Sequence, residues 1–168
     1  MSTRTLTLDL QSPAFSDGFP IPQDYTVDGR NFSPPLRWSD PPEGTKSFAL
    51  VCGDPDAPRG TFTHWVLFNV PAEDREVPPN VAPTPDLTSG ARQGTNDFGR
   101  IGYGGPAPPP GGPHRYFFKL YALDVKLGLP AGASRERLLE AMRGHQLAEG
   151  RLFGVYGRPT KGQGREQR

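Results

Sequence analysis

Cysteine is almost missing from this 168-residue chain: Cys52 stands alone. An internal disulfide is therefore excluded, and a structural zinc site would need more cysteines or better-spaced histidines. An excess of charge of one sign is also missing. Nineteen Lys and Arg against 18 Asp and Glu leave a net charge of +1, which makes no electrostatic case for nucleic acid or an acidic membrane. No apolar run approaches membrane-spanning length, and Met1–Leu10 lacks the apolar core of a signal peptide. The expectation is a soluble, cytoplasmic protein without a membrane span. Hydrophobic residues are scarce at 34%. No G-x-S-x-G, H-E-x-x-H or C-x-x-C occurs, and no Gly-Lys-Ser/Thr follows the glycine-rich run as a P-loop requires.

Glycine and proline fill the deficit. There are 21 of each, a quarter of the chain, spread between apolar runs rather than massed in one tract. That distribution predicts many turns and few long helices. Phe, Tyr and Trp reach 10% and cluster in strand-like segments, which argues against disorder. Alternating or buried apolar patterns predict strands over Thr5–Leu10, Ser47–Gly53, Phe62–Val70, Arg115–Leu123 and Leu152–Tyr156, with short pieces near Tyr25–Val27 and Leu36–Trp38. Ser134–His145 is the one good helix: Ser134 can cap it, and Leu138, Leu139, Met142 and His145 fall on one face. Leu87–Pro113 reads as a long, largely non-helical segment, a kind of loop that is usually functional when ordered. The fold class is mainly β, a sandwich with one or two short helices. One domain over 1–158 is expected, followed by a polar, flexible tail at 159–168.

Two motifs carry the chemistry. The first is D-P-D-A-P at Asp54–Pro58, leading into T-F-T-H-W-V-L-F-N-V at Thr61–Val70. The second is the Gly/Pro-rich run Gly99–Pro113, leading into H-R-Y-F-F-K-L-Y-A-L-D at His114–Asp124. Each sets a histidine at a loop–strand junction beside aromatics. Pro55 and Pro58 stiffen the first turn, so one of Asp54 and Asp56 is expected to point into a pocket and the other to tie the loop together; Asp56 is the better structural candidate. Both as plain turn formers is an equally good reading. Strand parity puts His64 on a face with Phe62, Val66 and Phe68, and His114 on a face with Tyr116, Phe118 and Leu120. A lone imidazole on an apolar face is more often a core residue than a ligand; two of them beside Gly/Pro loops favour function. His145, near a helix end, reads as structural, and Cys52 as a small core residue.

Together these parts make a pocket for an anion. A carboxylate favours protonated imidazole, and imidazolium can donate to phosphate. Glycines in Gly99–Pro113 could offer backbone N–H groups, or simply form an ordered wall. Two histidines and a carboxylate also describe a metal site or an acid–base site, but no second-shell pattern marks the one and no convincing nucleophile accompanies the other. No cofactor or metal is expected.

At these residues the chain resembles the phosphatidylethanolamine-binding protein family, which includes Raf kinase inhibitor protein, and is most similar to its shorter bacterial and archaeal branch. The resemblance rests on Asp54–Pro58, His64–Trp65, N-D-F-G at Asn96–Gly99, G-Y-G-G-P at Gly102–Pro106, P-H-R-Y at Pro113–Tyr116, Tyr121–Asp124 and Gly154–Arg158. It implies a sandwich of a large and a smaller antiparallel sheet with an anion pocket at one end. By the resemblance, Asp54, His64, His114 and Tyr116 form the pocket and Pro58 lies at its edge. Asp56, Arg115, Gly102, Gly104, Gly105 and Pro106 support or wall it. Arg59–Thr63 lacks the tyrosine that larger eukaryotic members carry there, and no C-terminal helix follows Tyr156 to close the pocket.

The function expected is therefore non-enzymatic binding of a phosphorylated small molecule or lipid head group, with a kinase- or protease-inhibitor-like regulatory role among its outlets and a homodimer compatible with the sequence. The alternatives are a hydrolase that uses the same Asp/His set and an interaction module independent of the pocket.

Overall fold

Buried strands that are apolar on both faces need cover on both faces, and Ser47–Asp54 is such a strand: all eight residues are buried. It forms the middle of the molecule. The structure, a computed structural model, describes residues 6–159. Their strands are β1 (Leu6–Thr7), β2 (Leu10–Gln11), β3 (Leu36–Trp38), β4 (Ser47–Asp54), β5 (Phe62–Pro71), β6 (Glu76–Val77), β7 (Arg92–Gln93), β8 (His114–Leu123) and β9 (Gln146–Tyr156). The helix α1 spans Arg135–Met142. Six strands make the large sheet, in the order β1-β9-β8-β4-β5-β7, and β2-β3-β6 make the small one. Pairing is antiparallel except that β1 runs parallel to β9.

Side-chain alternation splits the core in two. Phe48, Leu50, Cys52, Tyr116, Phe118 and Leu120 face the small sheet, joined by Leu8, Phe15, Leu36 and Trp38. Ala49, Val51, Val66, Phe68, Tyr121 and Leu123 face the other way, under Leu127, Ala133, Leu138 and Met142. Cys52 is in the first core, buried; desolvation pushes its thiol pKa well up, and the nearby Asp54 charge adds to the shift. A buried cysteine behaves as a small apolar residue.

Several elements differ from the sequence reading, each for a physical reason. Thr5 lies outside the described residues, and the rest of the expected first strand breaks in two: Leu6–Thr7 joins the large sheet and Leu10–Gln11 the small one. Tyr25 ends a 3₁₀ turn rather than a strand, because Thr26 folds back and donates its backbone N–H and its hydroxyl to the Gln23 carbonyl. The helix starts at the expected cap, where Ser134 Oγ accepts from Arg137 N at 3.2 Å, but it stops at Met142. Gly144 at φ +83° turns the chain out. Leu138 and Met142 are buried, whereas Leu139 is exposed and His145 lies beyond the helix. The last strand begins ten positions before Tyr156, at Gln146, earlier than expected. The polar tail expected at 159–168 lies outside the described residues from position 160 onward.

Phe118 tests the first core. It is fully buried, paired with Cys52 and Leu152 on its two neighbouring strands, and 6.0 Å from the Phe15 ring. Truncating a buried Phe to Ala leaves a cavity and costs about 3–5 kcal/mol. Phe118→Ala is expected to lower the unfolding free energy by that amount, read in equilibrium urea denaturation as a lower midpoint with an unchanged slope.

Candidate functional site

The register between β4 and β5 sets the site. Asp54 pairs with Phe62 and Gly53 with Thr63, but Cys52 pairs with Trp65, so His64 is an extra residue on β5. Such a bulge interrupts alternation. Phe62, His64 and Trp65 therefore all turn toward the Tyr116 side of the sheet, while Val66 and Phe68 keep the opposite face. This corrects the parity reading: His64 shares a face with Phe62 as expected, but not with Val66 and Phe68. The His64 ring lies 4.9 Å from Phe62, 5.5 Å from Phe98 and 5.2 Å from Tyr116, centroid to centroid. Trp65, one residue on, enters the core and donates its indole N–H to Gln93 Oε1 at 2.7 Å.

On β8, alternation holds, and His114 stacks on Tyr116 at 6.4 Å. Asp54 ends β4 on the same face. Its Oδ2 lies 2.6 Å from His114 Nδ1, and its Oδ1 accepts from Asp56 N at 2.7 Å. Both carboxylate oxygens are thus engaged, and the residue is 3% exposed. Asp56 faces outward and clamps the turn to β8. It accepts from Arg115 backbone N at 2.9 Å, Nε at 3.0 Å and Nη2 at 2.8 Å. The Arg115 guanidinium holds the Asp56 carboxyl at a pKa of about 2. So the stiff turn directs one carboxylate inward and the other to structure.

Asp54, Ala57, Pro58, Phe62, His64, Phe98, Ala107, Pro108, Pro109, His114 and Tyr116 line one cavity of about 130 Å³. That is well below the ~300–1,000 Å³ of drug-sized sites and suits a group the size of phosphate. A larger groove of about 870 Å³ runs along Leu6–Ser12 and Glu149–Leu152. It contains no histidine, and we place the site in the smaller cavity because polar groups converge there.

The two imidazoles differ in kind. His64 is 3% exposed and its Nδ1 lies 2.6 Å from the Gly104 carbonyl. A carbonyl only accepts, so Nδ1 carries the hydrogen and donates. Desolvation lowers the His64 pKa; the Gly104 carbonyl and the Asp54 charge oppose this with smaller effects. His64 is thus held neutral, so of the two imidazoles it is not the one that Asp54 would keep protonated. His114 instead faces a carboxylate, and in its protonated form it donates Nδ1–H to Asp54 and keeps Nε2–H for the cavity. The Tyr116 hydroxyl is buried with no hydrogen-bond partner among the described residues. Desolvation, then the Asp54 charge, raises its pKa, so it stays a neutral donor.

These are the geometry and order of a known architecture. The family model described as phosphatidylethanolamine-binding protein matches residues 11–157. This chain belongs to the phosphatidylethanolamine-binding protein family. It is 52% identical over 153 residues to a UPF0098 protein of Aquifex aeolicus, covering 90% of this chain and 89% of that one. A UPF0098 protein of Methanothermobacter thermautotrophicus is also 52% identical, over 90% of this chain and 99% of the other. Among solved structures, the phosphatidylethanolamine-binding protein homologue CT736 of Chlamydia trachomatis superposes with a TM-score of 0.83 at 40% identity, over 92% of this chain and 99% of CT736. E. coli YbcL, described as a member of the mammalian family, gives 0.82 at 35% identity, over 89% and 98%.

Within this family fold the Gly/Pro loop does a different job from the one its composition suggests. Gly102, Gly104, Gly105 and Pro106 do not line the cavity. Their backbone groups serve the protein: Gly104 N donates to His64 O, Gly105 N to Asn31 Oδ1, and the Gly102 and Pro106 carbonyls accept from Asn96 Nδ2 and Val27 N. No N–H of Gly104 or Gly105 is left for an anion. Glycine is needed at 104 because a Cβ there would stand 2.5 Å from the Phe98 ring, and at 105 because it would meet Asn31 Oδ1 at 2.6 Å. The wall is instead Ala107–Pro109, together with Phe62 and Phe98, none of which the sequence reading assigned. Arg158 braces that wall. It donates to both Asp28 oxygens, at 3.0 and 2.8 Å, and to the Pro108 carbonyl at 3.1 Å. Arg158, the last residue of the expected domain, is thus anchored. His145 pairs with Asp124 at 2.8 Å, outside the cavity, as its structural reading anticipated.

Neutral burial of His64 makes stability fall in acid. Its folded pKa lies below the unfolded value near 6.5, so the unfolded chain binds the extra proton first. Between those two pKa values wild type is expected to lose up to about 1.4 kcal/mol per pH unit on this account. The His64→Gln protein, which has no such titration, should lack that part of the slope. Denaturation of both proteins between pH 8 and pH 5 checks it.

Proposed function

We propose that this chain is a non-enzymatic binding protein whose small cavity takes the oxyanion of a phosphorylated small molecule or head group, with Asp54, Pro58, His64, His114 and Tyr116 as its contacts. The observation that carries this reading is the Asp54–His114 pair at 2.6 Å beside an unpartnered, buried Tyr116 hydroxyl. When it carries both ring hydrogens, His114 gives Nδ1–H to Asp54 and has Nε2–H for the cavity, and Tyr116 O–H is a second donor without a protein acceptor. A buried donor without an acceptor costs about 1–3 kcal/mol, and an oxyanion removes that cost. Asp56, clamped to Arg115, supports the turn. Ala107–Pro109 and Phe98 limit the size of what enters.

A second reading uses the same pair as a general base oriented by a carboxylate, acting on a water to hydrolyse a phosphoester. The lining includes no serine, threonine or cysteine, so such a hydrolase would act through water rather than through a covalent intermediate on those residue types.

Titration calorimetry with inorganic phosphate tests the proposal. His114→Ala and Asp54→Asn are each expected to weaken binding by about 1–3 kcal/mol, the scale of a lost charge-assisted hydrogen bond. His145→Ala should bind as wild type does. Equal affinity across the four proteins would reject the site, and turnover of a phosphoester lost in His114→Ala would favour the hydrolase.

A further inference from the structure

The donors and acceptors that face the cavity do not match a bare anion. Tyr116 offers O–H, and His114 offers Nε2–H when protonated. His64 is the odd member. Its Nδ1–H is committed to the Gly104 carbonyl at 2.6 Å, and that carbonyl is its hydrogen-bond partner among the described residues. Its ring is packed by Phe62, Phe98 and Tyr116 and is 3% exposed. The nearest acids are already occupied: Asp54 by His114 and Asp56 N, and Asp97 by Thr63 N at 2.7 Å. A buried ring whose partner is a neutral carbonyl stays neutral. Neutral His64 with hydrogen on Nδ1 has a bare lone pair at Nε2, and Nε2 is an acceptor.

An acceptor in an oxyanion pocket repels a fully deprotonated oxygen and rewards an oxygen that still bears hydrogen. Resting on the oxyanion reading above, we propose that this cavity selects oxyanions that retain at least one O–H on the central atom, the monoanion of a phosphate monoester or dihydrogen phosphate, over phosphodiesters. The P–O–H donates to His64 Nε2, while two unprotonated oxygens accept from His114 Nε2–H and Tyr116 O–H. A phosphodiester carries the same single negative charge but has no hydrogen for His64, so its ester oxygen or carbon would face an unpaired lone pair in an apolar nest. Charge alone would not separate these ligands; hydrogen-bond polarity does. Thus His64, in a pocket where it looks like a third donor, is a specificity residue.

Methyl phosphate and dimethyl phosphate make the comparison at pH 5.5. There the monoester is mainly a monoanion, since its second ionisation lies near pH 6, and the diester is a monoanion too. Methyl phosphate is expected to bind at least tenfold more tightly in calorimetric titration. Inorganic phosphate and phosphorylethanolamine, both with a P–O–H at this pH, should also bind more tightly than dimethyl phosphate, and whichever of the two binds more tightly separates a free-phosphate source from a head-group source. Nitrogen-15 spectra of histidine-labelled wild type should show His64 Nε2 unprotonated with methyl phosphate bound, shifted as a hydrogen-bond acceptor. His64→Phe should erase the preference, and His64→Gln, which keeps a donor and an acceptor, should retain part of it. Equal affinity for the two methyl esters, or a protonated His64 Nε2 in the complex, would overturn the inference. Should neither ester nor phosphate bind, the oxyanion reading itself falls, and the inference with it.

Discussion

One extra residue on β5 connects the core to the site. Without the bulge at His64, a single strand could not send both His64 and Trp65 to the same side of the sheet. With it, His64 enters the cavity and Trp65 enters the core between the sheets. Trp65 then fixes Gln93, whose amide donates to the Ala82 and Thr84 carbonyls. The long segment after β7 follows β5 from there: Gly94 N donates to Val66 O, Asp97 N to Thr63 O, and Gly104 N to His64 O. The irregular loop thus behaves as an additional partner for a strand already bent by its bulge. Its backbone is satisfied by β5, which is why it needs glycines for close approach rather than for ligand contact.

The site combines two ways of handling a buried imidazole. One ring is paired with a carboxylate, which can partner its charged form. The other is paired with a carbonyl among aromatic rings, so it stays neutral. Residues of the same type, both within contact of the Tyr116 ring, have opposite polarity toward whatever enters. Residue identity does not set that polarity; the nearest hydrogen-bond acceptor does.

Much of this was legible in the sequence, and the exceptions share a cause. The stiff Asp54–Pro58 turn, the inward Asp54 and outward Asp56, and the common face of His114 and Tyr116 all follow from proline geometry and strict alternation. Alternation fails at His64 because a bulge has no signature in the local residue pattern; it exists only in the pairing of β5 with β4. Which imidazole stays neutral was unreadable for the same reason, since Gly104, the partner of His64, is 40 positions away. The helix cap at Ser134 was readable; the stop before Gly144 was missed, because an apolar face drawn out to His145 masks the glycine. The roles of Phe98 and Ala107–Pro109 lie in an irregular segment, where spacing carries no directional information.

The brace at Arg158 has a consequence for how the molecule comes into being. Its guanidinium joins Asp28, 130 positions earlier, to the Pro108 carbonyl, 50 positions earlier. The other site contacts also span long distances along the chain: 40 positions for His64 to Gly104, and 60 for Asp54 to His114. Contacts of this range form late, because loop closure must precede them. On the ribosome, a chain that has emerged through Tyr116 carries every one of the pocket's ligand-facing side chains, yet β9 and Arg158 beyond it are still to come. Possession of the motifs and possession of the site are therefore separate stages in the life of each molecule, and the pocket's proline wall is secured by a residue made 50 positions after it.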